Sequence, residues 1–128
     1  MVRRREQLLR ILINESDRWE GKALYEAIVH RAKDLGLAGA TATRGMMGFG
    51  SSGKISTDSL LGQLVSWSPH APVAVEIIDT EENIQKILPF LKESVRGGLV
   101  TIEEVGILAP EDAAALPGHA APRAGEVR

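Results

Sequence analysis

"PVAVEIIDTEENIQKILPFLKESVRGGLVTIEE", from Pro72 to Glu104, holds one complete strand–helix–strand unit. Its first eight residues alternate, with Val73, Val75 and Ile77 on one side, which predicts a strand over Pro72 to Asp79. Thr80 is placed to cap the following helix. Glu81 and Glu82 put negative charge in the first turn, where the helix dipole favours it. Ile84, Ile87, Leu88, Leu91 and Val95 then recur at helical spacing, and Pro89 inside this stretch predicts a kink or one tightened turn. After the glycines at 97 and 98, "LVTIEEVGIL" (Leu99 to Leu108) reads as a second strand. Its alternation slips at Glu103 and Glu104, which predicts a bulge.

The first half of the chain repeats this plan. "LLRILIN" (Leu8 to Asn14) alternates with Leu9, Ile11 and Ile13 on one face. "NESD" then stands where "DTEE" stands in the second half. Ser16 or Asp17 is read as the cap of the next helix, and Asp17 with Glu20 has capping-box spacing. "GKALYEAIVHRAKDLG" carries Leu24, Ile28, Val29, Ala32 and Leu35 on one stripe and closes at Gly36. "AGATATR" (Ala38 to Arg44) follows as a strand. Strand–helix–strand twice over is the split βαβ pattern, so the fold class is α+β, ferredoxin-like βαββαβ, with a four-stranded antiparallel sheet and two helices on one face. The opposite face is left bare. Leu12, Ala74 and Ile78 lie there beside Arg10 and Glu76, and a partly apolar open face predicts a homo-oligomer.

Between the halves lies "GFGSSGKIS" (Gly48 to Ser56), for which three readings compete. As a Walker A loop it has Gly48, Gly53 and Lys54, but Ile55 occupies the position of the magnesium-binding hydroxyl. As a dinucleotide fingerprint it has Gly48, Gly50 and Gly53, but it needs a long helix and a parallel sheet. The third reading is a glycine loop joining the second and third strands, and the internal echo favours it. "TDSLLGQLV" (Thr57 to Val65) is read as one or two helical turns or an irregular arm.

The 128 residues fit one domain, and 44% hydrophobic with 25% charged residues is ordinary for a globular protein. A net charge of −2 supplies no field to gather nucleic acid, and Arg3, Arg4 and Arg5 read as a solvated terminus. Without cysteine there is no disulfide, thiolate nucleophile or zinc–thiolate site. His30, His70 and His119 lack ligand spacing, so no metal and no cofactor is expected. No apolar run approaches the ~20 residues of a membrane span, and "LLRILI" is too short for a signal sequence. The expected location is cytoplasmic. The expected organisation is a flexible basic segment over 1–7, a folded domain over 8–108 and a disordered Ala/Pro/Gly tail over 109–128.

Four stretches together resemble a known family. They are "NESDRWEGKALYEAIV", "GLAGATATRGMMGFGSSGKI", "PVAVEIIDTEENIQKILPFL" and "GGLVTIEEVGIL". They are similar to the PII-like proteins grouped as domain of unknown function 190, and more distantly to PII nitrogen-regulatory signalling proteins. The resemblance implies a homotrimer with the open faces turned inward and a regulatory, non-enzymatic role. It also implies a small molecule or nucleotide bound in the clefts between subunits, and a loop over 46–59 that docks on a protein target. By matching position, Gly48, Phe49 and Gly50 would lie at the base of that loop. Arg44 and Lys54 are added as nearby cations. The phosphate-binding turn of PII proteins is only partly present in "RGGLVTIEEVG", which lacks its lysine. Glu15, Asp17, Arg18 and Trp19 stand at the first strand–helix junction, where they read either as helix capping with surface charge or as a ligand or subunit contact. Trp19 and Trp67 read more simply as edge-of-core or interface residues. The alternative reading of the whole is a ligand-independent scaffold for a transporter or enzyme. A small enzyme using Glu15 with Arg18 or His30 has no residue pattern in its favour.

Overall fold

The computed structural model of the chain describes residues 4–50 and 71–109, and the backbone of 55–57. Strand β1 spans Arg4–Asn14, a small hairpin joins β2 (Arg18–Trp19) to β3 (Lys22–Ala23), and helix α1 covers Leu24–Asp34. Strand β4 (Thr41–Arg44) precedes a second small ladder of β5 (Met47–Phe49) and β6 (Ile55–Thr57). Strand β7 (Pro72–Asp79), helix α2 (Glu81–Ser94) and strand β8 (Leu99–Ile107) complete the described chain.

The main sheet has the order β4-β7-β1-β8, and every neighbouring pair is antiparallel. This is the ferredoxin-like order predicted by the internal echo. Cross-strand partners share a face. Leu9 and Ile11 therefore lie beside Ile77 and Val75 under the helices, whereas Arg10 and Leu12 lie beside Glu76 and Ala74 on the bare side. The helices cover the first face with Leu24, Ile28 and Ala32 from α1 and Ile84, Ile87, Phe90 and Leu91 from α2, all buried. Each large side chain removed from water here contributes about 1.5–3 kcal/mol.

The cap and first-turn expectations for α2 hold, while the tightened turn expected at Pro89 is not seen in a helix that is α throughout Glu81–Ser94. Thr80 Oγ1 accepts the Asn83 N–H at 3.2 Å, two acids occupy the first turn, and Pro89 sits within the helix. Gly36, with φ of 81°, takes the left-handed conformation that ends α1.

Helix α1 corrects the sequence reading at its start. Its N-cap is Ala23, with no side-chain cap. Asp17 turns back instead, and its Oδ2 accepts the Asn14 N–H at 3.0 Å, while its carbonyl accepts the Leu24 N–H at 2.8 Å. "NESD" is thus a turn held on Asn14, whose Oδ1 accepts from the Ser16 N–H and hydroxyl. The two-residue hairpin that separates it from the helix turns at Glu20 and Gly21, both with positive φ, as a primed turn requires.

The bulge expected at Glu103 and Glu104 is also corrected. The β1–β8 register runs unbroken from Arg4↔Ile107 to Leu12↔Leu99. The two acids point to opposite faces, and each meets an arginine of β1. Glu104 accepts from Arg5 at 2.8 Å, and Glu103 lies 3.6 Å from Arg10. The first seven residues are not a free arm throughout, because β1 begins at Arg4 and Arg4 pairs with Glu6 at 2.7 Å. Arg3, Trp67, His70 and His119, the weak helix read into 57–65 beyond Thr57, and residues 110–128 of the expected tail lie outside the described residues.

Candidate functional site

The chain leaves β4 at Arg44 and re-enters the sheet at Pro72, so both ends of the intervening segment sit at the same end of the sheet as Asn14. Three groups hold them together. Gly45 N–H donates to the Pro72 carbonyl at 2.7 Å, and Glu15 N–H donates to the Ala71 carbonyl at 2.9 Å. The Glu15 carboxylate takes Arg44 at 2.8 Å. Glu15 and Arg44, chosen separately from the sequence, therefore form one ion pair. Their side chains are 24% and 54% exposed, so the pair adds at most about 1 kcal/mol and serves mainly to fix the base of the loop.

Beyond Gly45, the glycine stretch is neither of the two phosphate loops. Both require a helix after the glycines, and here Ile55–Thr57 is extended and pairs back on Met47–Phe49 through Met47↔Thr57, Gly48↔Ser56 and Phe49↔Ile55. The base of the expected loop 46–59 is thus a two-stranded ribbon. Lys54 lies outside the described residues.

The ribbon stands over the end of the open face and closes one side of a groove of ≈ 770 Å³. Gly48, Phe49 and Gly50 line it from the ribbon, Leu12, Asn14, Ala74 and Leu99 from the sheet, Asp17 from the turn after β1, and Gly97 and Gly98 from the turn before β8. Two segments about fifty residues apart in sequence, both glycine-rich, face each other across it. Glycine backbone leaves N–H and C=O groups accessible to a ligand. Asp17 is the charged side chain among the described lining residues, and Phe49, 77% exposed, presents an uncovered ring. The site offers a stacking surface, a carboxylate acceptor and a run of unshielded backbone.

Arg18 and Trp19 are not brought to this groove. Arg18 lies exposed on the β2–β3 hairpin, and Trp19 meets Phe90 of α2 edge-on, with ring centroids 5.5 Å apart. Arg31 stacks over the same Phe90 ring at 4.2 Å, which makes Trp19 part of a core-edge cluster. Glu15 and Arg18 form no acid–base pair, since Glu15 is engaged by Arg44. Among the described residues no group of His, Asp and Glu is placed to hold a metal, and no helix is long and apolar enough to cross a membrane.

Asp79, read in the sequence only as the acid that ends its strand, is a buried acceptor. It is 4% exposed, and its carboxylate accepts from Ala38 N–H (2.8 Å), Thr80 N–H (2.7 Å) and Asn83 Nδ2 (2.9 Å). Burial pushes its pKa up. The hydrogen bonds from Ala38, Asn83 and Thr80, helped by the Lys86 charge, outweigh this and hold it below its ordinary 3.8. The readable signal was an acid ending a strand just before a Thr-x-x-Asn helix start.

A UPF0166 protein of Aquifex aeolicus is 40% identical over 104 residues, covering 81% of this chain and 94% of the relative. A UPF0166 protein of Methanocaldococcus jannaschii is 34% identical over 99 residues, covering 77% and 87%. A protein of Thermus thermophilus described as PII-like shares the fold with a TM-score of 0.57 at 24% identity, over 84% of this chain and 94% of its own. CPII of Thiomonas intermedia, bound to ADP and bicarbonate, shares it with a TM-score of 0.58 at 18% identity, over 84% and 93%. The family pattern described as DUF190, "Uncharacterized ACR", matches residues 6–107, and the chain belongs to that family, built on the PII-like fold.

Proposed function

We propose that this protein is a cytoplasmic, non-enzymatic PII-like regulator. In this reading it assembles as a homotrimer with the open faces inward, holds a small molecule of the nucleotide class in the groove under the β5–β6 ribbon, and presents the 46–59 loop to a protein target. The groove carries the proposal, because it places Gly48, Phe49 and Gly50 opposite Gly97 and Gly98 at the root of that loop. A ligand seated there touches both the loop base and the sheet, so its binding energy can order the loop. Support for the nucleotide class comes from the Thiomonas protein of the same fold, which binds ADP with bicarbonate.

The test is thermal unfolding with ATP, ADP and AMP, each with and without bicarbonate. A nucleotide present at a hundred times its Kd adds about 2.7 kcal/mol to the native state, and the melting temperature then rises by roughly 5–10 °C. A melting temperature unmoved by the whole panel overturns the nucleotide reading.

A ligand-independent scaffold is the second reading. The exposure of Met46 (80%), Met47 (65%) and Phe49 (77%) favours it, since an apolar cluster at a loop base is an ordinary protein-docking surface.

A further inference from the structure

We propose that the strength of association through the open face is set by the cluster Arg10–Glu76–Glu103, with Glu103 the carboxylate that opposes it. This rests on the self-association reading above and adds to it the chemistry that controls it.

The register lays the face out in rows. One row runs Thr43, Ala74, Leu12, Leu99 across all four strands, and the next runs Thr41, Glu76, Arg10, Thr101. A third holds Ile78, Leu8 and Glu103. Apart from Glu103 and Thr43, the outer rows hold apolar side chains, and Leu12, Ile78 and Leu99 remain 41%, 43% and 57% exposed. Within the middle row the guanidinium is already held by its own chain. Arg10 Nε and Nη2 both donate to Glu76 Oε2, at 3.2 and 3.0 Å. A flat face whose one central cation is neutralised internally needs no oppositely charged partner, and it can lie against a second copy of itself.

The neutralisation overshoots. One guanidinium stands between two carboxylates, since Glu103 Oε1 lies 3.6 Å from Arg10 Nη1, so the cluster carries one surplus negative charge. Among the described residues the other charges on this face cancel, because Arg4 pairs with Glu6 at 2.7 Å. Strand β4 contributes only Thr41 and Thr43 to it. Arg5 is on the other face, taken by Glu104. In the single chain the Glu103 side chain is 59% exposed and water screens the surplus. Once a second copy covers the face, each copy brings one uncompensated carboxylate into a drier space, and like charges there repel far more strongly than in water.

The experiment is sedimentation of the full chain over a dilution series at about 0.05 M and about 0.5 M NaCl, where the screening length falls from beyond 10 Å to a few ångströms. Wild type, E103Q, R10Q and L12D are compared. Wild type should associate more tightly at high salt. E103Q should tighten association roughly tenfold at low salt and lose most of the salt dependence. R10Q should weaken it by more than tenfold, and L12D should be monomeric with unchanged far-ultraviolet dichroism. If E103Q associates no more tightly than wild type while L12D is monomeric, the charge proposal fails and self-association through this face stands. If wild type is monomeric at every concentration, or if L12D associates normally, both fail.

Discussion

Replacing Gly98 with alanine is expected to destabilise the fold by about 3 kcal/mol, whereas the same change at Gly97 should move stability by less than about 1 kcal/mol. The contrast comes from geometry alone. A Cβ on Gly98 would lie 2.5 Å from the Leu12 carbonyl oxygen, 2.8 Å from Ile13 Cγ2 and 3.0 Å from Val95 Cγ1. The nearest of these is backbone of the central strand, which cannot step aside without disturbing its pairing with both β7 and β8. A Cβ on Gly97 meets nothing within 4 Å. Urea midpoints of the two variants check this, and equal midpoints would contradict it. Gly98 therefore answers to packing first, although it also lines the groove.

Loss of the Asp79 carboxylate is expected to be the second large effect. Asp79→Ala leaves the Ala38 and Thr80 N–H groups and Asn83 Nδ2 without their acceptor in a buried site, at a cost of about 3 kcal/mol. The carboxyl also gives the effect a pH signature. Its pKa is lower in the folded chain than in the unfolded one, so the unfolded state binds more protons through this range. Its contribution is fully present above the ordinary value of 3.8 and is lost as pH falls through the lower folded value. The stability gap between wild type and Asp79→Asn, read from urea midpoints, should be widest near neutral pH and should shrink below about pH 4. A gap that is constant or widens in acid would contradict this assignment.

The fold was legible because burial enforces periodicity. Leu9, Ile11 and Ile13, and Val73, Val75 and Ile77, alternate because one side of each strand lies under the helices. The stripe of α2 is as clear for the same reason. Where burial does not act, the reading drifted. Strand β8 is an edge strand, and even its helix-side residues Val100 and Ile102 are 37% and 43% exposed. Adjacent glutamates there look like a slip when they are two separate arginine pairings. The start of α1 was misplaced because "NESD" satisfies every local rule for a cap, while the Glu20–Gly21 turn that inserts a hairpin is a two-residue signal with no apolar pattern around it.

The lining of the groove was half legible. Gly48, Phe49 and Gly50, named from the glycine pattern and family likeness, and Asp17, named from its polar junction, line it. Their meeting with Gly97, Gly98, Leu12 and Leu99 depends on the strand order, which no local pattern prints. Trp19 carries both a ligand-wall and an edge-of-core reading in the sequence, and its ring, edge-on to Phe90, fits the edge-of-core one.

Amide hydrogen exchange on this chain, with and without saturating ADP, tests nucleotide binding in the groove most directly. Slower exchange is expected in peptides covering 45–50 and 96–99, the two walls of the groove, with α1 unchanged. No change at either wall, or slowing confined to the helices, would contradict it.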